Sequence, residues 1–266
     1  MRCLTLSQAN HSDFKFAHTE VIDFYAAQKE LSVPGLPKLD PSRLVDGQRK
    51  IETIKQLPVT SAGRDFEFRA TLLGAYDKGK AGTVIKMQDD LVDATSGELY
   101  ARITGSLFYI GQGGWGGPRG APEPSYAPPD RAPDMTLSLT IGPQAAHLYR
   151  LNGDYNPLHA DPKVGEALGY GGIILHGVYA YSCIAHELLR EIGSSLPENL
   201  RDFEARFAGP VKPNDTIVVE VWTVHRDAVE WEELRWRARV QQTGRSCLTD
   251  GRACIRRATK TMRPTL

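Results

Sequence analysis

The sequence predicts an α+β protein built from two similar halves, each an antiparallel meander with a helix packed on one face. Three observations lead there. Six segments alternate apolar with polar residues, as in Phe66-Glu67-Phe68-Arg69, which is the period of a half-buried strand. The turns between them recur at nearly constant spacing. One stretch, Val178 to Leu189, carries apolar residues at helical intervals.

The strands come in two sets of three. Phe66–Tyr76, Thr83–Leu91 and Glu98–Ile110 are separated by Asp77-Lys78-Gly79 and Thr95-Ser96-Gly97; Thr216–Val224, Val229–Gln241 and Ser246–Arg256 are separated by His225-Arg226-Asp227 and Thr243-Gly244-Arg245. These are turn-forming residues. Gly97 and Gly244 stand 147 positions apart, and Thr71 and Thr216, read as opening matching strands, 145. Such spacing points to a duplication. Trp222, Trp231 and Trp236 fall on the second set and read as sheet packing.

Helices concentrate before the second set. Pro143 is expected to open a short one running to Leu151 and ended by Gly153, because the fixed φ of proline suits a first helical position. Asp161-Pro162 reads as an N-cap and first turn, with Gly169 closing that helix. Val178, Tyr181, Ile184, Ala185 and Leu188 define the long helix's apolar face. Phe24 to Leu31 is its weaker counterpart in the first half.

Between the halves runs Gly111-Gln112-Gly113-Gly114-Trp115-Gly116-Gly117-Pro118, followed by Pro122, Pro124, Pro128, Pro129 and Pro133. Such composition resists regular structure and reads as a linker. Neither a Lys-Ser/Thr pair nor a helix start follows it, so a phosphate cradle is disfavoured. The expected domains are residues 1–117, a linker over 118–134, and a catalytic half over 135–266.

Composition removes several function classes. In 266 residues, 32 Lys and Arg balance 32 Asp and Glu, whereas a dedicated nucleic-acid binder carries a basic excess. Counted with Gly and without Tyr, the apolar share is about 47%, an ordinary globular value. No apolar run approaches the roughly 18 residues of a membrane span, and Met1–Phe14 lacks the apolar core of a signal peptide. Cys3, Cys183, Cys247 and Cys254 are scattered, as reduced thiols of an intracellular protein would be. The closing Arg-Pro-Thr-Leu is not of the S-K-L peroxisomal type.

The chemistry concentrates in one loop, Leu151-Asn152-Gly153-Asp154-Tyr155-Asn156-Pro157-Leu158-His159-Ala160-Asp161-Pro162. Pro157 bars Asn156 from helical geometry and stiffens the segment. A carboxylate (Asp154) and an imidazole (His159) held five residues apart can share one water, taking and returning its proton. Asp and Asn in such loops also serve simply to cap turns. The next segment, Gly169-Tyr170-Gly171-Gly172-Ile173-Ile174-Leu175-His176-Gly177, leads straight into the long helix. That places the Gly177 N–H among the unsatisfied donors at the helix's positive end, suited to a developing oxyanion. His147, His176, His186 and Asp161 match no zinc spacing, and no metal is expected.

Tyr149 to His159, together with Ile174-Leu175-His176-Gly177, closely resembles the R-specific enoyl-CoA hydratases of the hydratase 2 type, in the MaoC-like dehydratase family. Phe207-Ala208-Gly209-Pro210-Val211-Lys212-Pro213 looks like the strand that follows the helix there, and the Gly-rich segment, Pro-rich linker and catalytic half follow the order of the two-domain eukaryotic members. The resemblance implies a double hot-dog fold, with each sheet wrapping a central helix. It assigns Asp154 and His159 to the catalytic dyad, Asn156 to a supporting amide and Gly177 to the oxyanion hole. The sequence departs from the family pattern at Asn152, where Ser is common, and in Ala9–Phe14, which lacks a Tyr-Glu-Gly run.

The expected function is a hydro-lyase, hydrating trans-2-enoyl-CoA to (R)-3-hydroxyacyl-CoA or running in reverse. It needs no cofactor beyond the coenzyme A of its acyl thioester substrate, whose phosphates Arg150, Lys163, Arg206 and Lys212 are the candidates to meet, although any one of them alone reads more simply as solvated surface charge. The first half is expected to shape the acyl-tail pocket. One alternative is a dehydratase of carrier-bound or polyketide-derived 3-hydroxyacyl thioesters; another is a non-catalytic acyl-thioester binding protein. The resemblance further implies homodimers and a peroxisomal or cytoplasmic location.

Overall fold

The computed structural model describes residues 35–228 and 231–258. The helix expected at Phe24–Leu31, the segment Ala9–Phe14 and Cys3 lie outside them. The chain forms two compact units, one from the described residues up to Asp46 with Val59–Ala121, the other from Gly47–Pro58 with the residues from Pro122 onward.

The first unit is built on the antiparallel meander β2 (Phe66–Asp77), β3 (Gly82–Asp93) and β4 (Leu99–Ile110), with Ala75 opposite Ile85 and Val84 opposite Phe108. The turn between β3 and β4 closes through Gly97 at φ +74°, a left-handed conformation that favours glycine. The segment Gly111–Pro118 is not the unstructured crossing that its composition suggests. Asp77, buried at the end of β2, accepts backbone N–H groups from Gly79 and Gly114 on Oδ1, at 2.8 and 2.7 Å, and from Gly116 on Oδ2 at 2.8 Å. The indole N–H of Trp115 donates to Thr83 Oγ1 at 2.9 Å. The glycine amides thus cradle an anion that the protein itself supplies. That is why the loop is ordered without helix or strand.

The second unit carries the strand order β1-β6-β9-β8-β7-β5, all antiparallel. The strands are β1 (Leu44–Thr53), which enters this unit at Gly47, β5 (Met135–Thr140), β6 (Leu200–Phe207), β7 (Thr216–Arg226), β8 (Trp231–Val240) and β9 (Ser246–Arg256). Two short helices, α1 (Ala145–Tyr149) and α2 (Pro162–Ala167), precede the long helix α3 (Gly177–Gly193). Ala180, Tyr181, Ile184, Leu188 and Ile192 of α3 pack on Phe203, Ala205, Leu234, Trp236, Ala253 and Ile255 of the sheet. The Phe203 and Trp236 rings stack at 4.9 Å, and Tyr181 Oη donates to Phe203 O at 2.6 Å. Trp222 lies buried with its indole N–H on Arg131 O, and Trp231 lies under Arg201 and Arg256.

The six strands read from alternation are present, and β9 has the expected limits. Several local expectations are corrected. Thr71 lies inside β2 while Thr216 opens β7, so the repeat is carried by the Gly97 and Gly244 turns, at φ +74° and +69°. Pro143 sits in a turn before α1, and the helix tightens to a 3₁₀ turn over Arg150–Asn152 before Gly153 at φ +105°. Helix α3 runs one turn beyond Leu189, because Ile192 still finds the core, and ends on Ser194 at φ 55°. β6 ends at Phe207, so the segment to Pro213 follows the strand instead of forming it. Pro210 and Pro213 have no N–H for a ladder. Val211 O instead accepts Leu175 N at 2.8 Å, which braces the loop that enters α3. Among the described residues no helix is long and apolar enough to cross a membrane.

Candidate active site

Local rules place the dyad loop. Asn156 takes a non-helical backbone before Pro157, with ψ 122°, and its Oδ1 accepts Leu158 N at 3.0 Å, capping the 3₁₀ turn Pro157–His159. That turn carries His159 inward, where it is buried. Asp154 Oδ1 accepts Asn156 N at 3.1 Å, and its carboxylate stays half exposed, 54% accessible. The loop ends at α2, capped by Asp161 Oδ1 on Lys163 N at 2.9 Å.

His159 Nδ1 lies 2.8 Å from Ile174 O. A carbonyl only accepts, so Nδ1 carries the hydrogen of the neutral ring and the lone pair sits on Nε2. A ligand atom of the Asp154 carboxylate and ring nitrogens of His159 and His176 lie within 4.8 Å of one another, a span that one hydrogen-bonded water bridges.

His176, weighed in the sequence only as a metal ligand, lies inside this cluster. It is the N-cap of α3 and 3% exposed. Its ring stacks on His159 at 3.6 Å with planes 27° apart and lies 4.9 Å from the Tyr149 ring. Burial, then the charge of a protonated His159, holds its imidazole below the ordinary value against the pull of Asp154. The available signal was its position immediately before Gly177. These donors are also metal-ligand types, but imidazole lone pairs lie in the ring plane. Two stacked planes 27° apart do not converge on one point at zinc–nitrogen distances of about 2.0–2.1 Å.

Gly177 opens α3, where backbone N–H groups lack helical acceptors. A Cβ there would stand 2.8 Å from Phe207 Cδ1, so any larger residue has to displace that ring or the helix turn. The other predicted residues are spread more widely. Arg150 serves the loop itself, donating to Tyr155 O at 2.9 Å and lying 5.6 Å from the Tyr155 ring centroid. Lys212 Nζ donates to Gly171 O at 3.3 Å. Exposed Lys163 rides on α2, whose Gly165 packs against Gly172. Arg206 is not brought to the site. Strand alternation turns it, with Glu204 and Gln48, away from the face where Ala205 meets α3, and it faces Asp250 at 4.0 Å. His147 is exposed on α1, His186 is exposed beside Glu187, and Asp161 is used as a cap.

A MaoC like domain is recognised over residues 125–244. The chain is 40% identical over 256 residues to the probable dehydratase NIT22 of Ajellomyces capsulatus, spanning 91% of this chain and 67% of that protein. The chain belongs to the MaoC-like dehydratase family. It is also 31% identical to the probable enoyl-CoA hydratase 2 of Dictyostelium discoideum, over 82% of this chain and 72% of the relative. To the peroxisomal enoyl-CoA hydratase 2 of Arabidopsis thaliana it is 30% identical, over 72% and 63%. Among solved structures it is similar to a MaoC-like dehydratase from Phytophthora capsici, with TM-score 0.73, 24% identity, and 85% and 75% of the two chains covered. A Mycobacterium tuberculosis protein described as a double hotdog aligns with TM-score 0.54 at 15% identity, over 82% and 76%. The MaoC-like chain thus has the double hot-dog fold, and its family domain contains the whole loop from Tyr149 to Gly177.

Proposed function

We propose that this chain is a hydro-lyase adding water syn across the trans-2 double bond of an enoyl-CoA to give (R)-3-hydroxyacyl-CoA. The observation that carries this reading is the pairing of Asp154 with His159, whose Nε2 is left as a base by the Nδ1 bond to Ile174 O. One water sits between them. As its oxygen bonds to C3 of the acyl chain, the dyad takes one of its protons. Negative charge gathers on the thioester oxygen and meets the Gly177 N–H. The enolate then takes that proton at C2 from the same side, so one water is added and the dyad is restored. Asn156 keeps the loop in register. Lys163 and Lys212, flanking the Gly169–Gly172 loop, meet the phosphates of coenzyme A, and no further cofactor takes part.

The name of the 40% identical relative favours a second reading, in which the physiological direction is dehydration of a 3-hydroxyacyl thioester. Loss of enoyl absorbance with crotonyl-CoA and longer enoyl-CoAs, and the reverse reaction with each 3-hydroxy enantiomer, test both. No turnover of any thioester, with binding retained, overturns them in favour of a binding protein. A dimer, checked by light scattering, and a peroxisomal or cytoplasmic location, checked by fractionation, complete the reading.

A further inference from the structure

We propose that His176 is a positioning residue that fixes Asp154 and His159 relative to each other. This rests on the reading of those two as the reacting pair. His176 Nε2 lies 3.3 Å from Asp154 O and 3.7 Å from its Oδ2, so one nitrogen addresses both the main chain and the carboxylate of that residue. The flat of the same ring covers His159 at 3.6 Å, and Tyr149 lies 4.9 Å away. Its Nδ1 is buried with no hydrogen-bond partner. A proton there would be a buried donor without an acceptor, which costs more than a bare lone pair. The ring is therefore neutral, with its hydrogen on Nε2 donating to Asp154 O. As the N-cap of α3, it also ties the dyad to the helix start at Gly177.

Two measurements on the full chain test this. In steady-state kinetics, His176→Phe keeps an aromatic face but loses the donor, and kcat is expected to fall roughly tenfold or more at nearly unchanged KM. His176→Gln restores a donor and is expected to recover part of the loss. Folded variants that both keep native kcat overturn the proposal. Asp154→Asn and His159→Gln run alongside; if those stay active, the reading of the dyad fails instead. Side-chain ¹⁵N NMR of the native protein needs no variant and no turnover. It should show His176 neutral and protonated on Nε2 at pH 6, below the ordinary imidazole value of about 6.5. A charged ring, or hydrogen on Nδ1, overturns the proposal.

Discussion

His159 and His176 lie face to face, ring centroids 3.6 Å apart, each with a nitrogen against a main-chain oxygen of the other's loop: Ile174 O for His159 and Asp154 O for His176. The two segments that build the site are thereby cross-tied, and charging one ring disfavours charging the other. A single mobile proton is what the proposed reaction needs.

The dyad should fail as a unit. Asp154→Asn or His159→Gln alone is expected to lower kcat by about 10²–10⁴-fold, with the double variant little worse, because either loss leaves the water unpositioned. KM and melting temperature should move little. Kinetics and melting curves of the three variants check this, and mild, additive losses would remove both residues from the chemistry.

Gly177→Ala should be costly for a steric reason. The new Cβ meets Phe207 Cδ1 at 2.8 Å and Cε1 at 3.0 Å, and shifting the first turn of α3 would misplace the proposed oxyanion donor. A loss of about 10²-fold in kcat is expected. Phe207→Leu should recover part of it in the double variant, measured by steady-state kinetics.

Glu204 supplies a pH dependence of stability. Burial raises its pKa, against the pull of the Gln48 amide, Lys50 and Arg252. A carboxyl raised on folding binds its proton more tightly in the native state, so its stabilising contribution is present at low pH and lost as pH rises through the folded value. Glu204→Gln should raise Tm by about 2–5 °C at pH 8 and leave it unchanged at pH 4. Calorimetry at the two pH values decides.

Asp77 works in the opposite sense. The Gly114 N–H most of all, with those of Gly79 and Gly116, holds its carboxyl below the usual range against the effect of burial. Its contribution is present at neutral pH and lost as pH falls through that lowered value. Asp77→Asn should release the Gly111–Gly117 segment at pH 7, seen as faster proteolytic cleavage there and altered Trp115 emission.

Alternation and turn glycines sufficed to place β2–β4 and β7–β9, since a half-buried strand writes its period into sequence. β1 and β5 were missed, and the strand after the helix was placed at Phe207–Pro213, too late for β6. β6 is flanked by α3 and buries the charged residues Asp202 and Glu204 on the face away from the helix, so its polar face carries no sign of exposure. The loop that brings Asp154 and His159 together was legible because Pro157 and the caps at Asn156 and Asp161 are local signals. His176 was not, because its importance comes from a stacking partner 17 positions away. Arg206 was misplaced because charge alone does not tell which side of a sheet a residue faces.

Ile174 O fixes His159, and three residues later the same strip of chain delivers Gly177. In the proposed reaction, the group that moves the proton and the group that receives the negative charge therefore share one short tether, with Leu175 N pinned to Val211 O at its middle. A thioester bound against it would leave the spacing of the two groups unchanged. On the proposed function, acyl chains of different length and branching would then meet an unchanged pair of reacting groups, with selectivity left to walls elsewhere, free to diverge without retuning the chemistry.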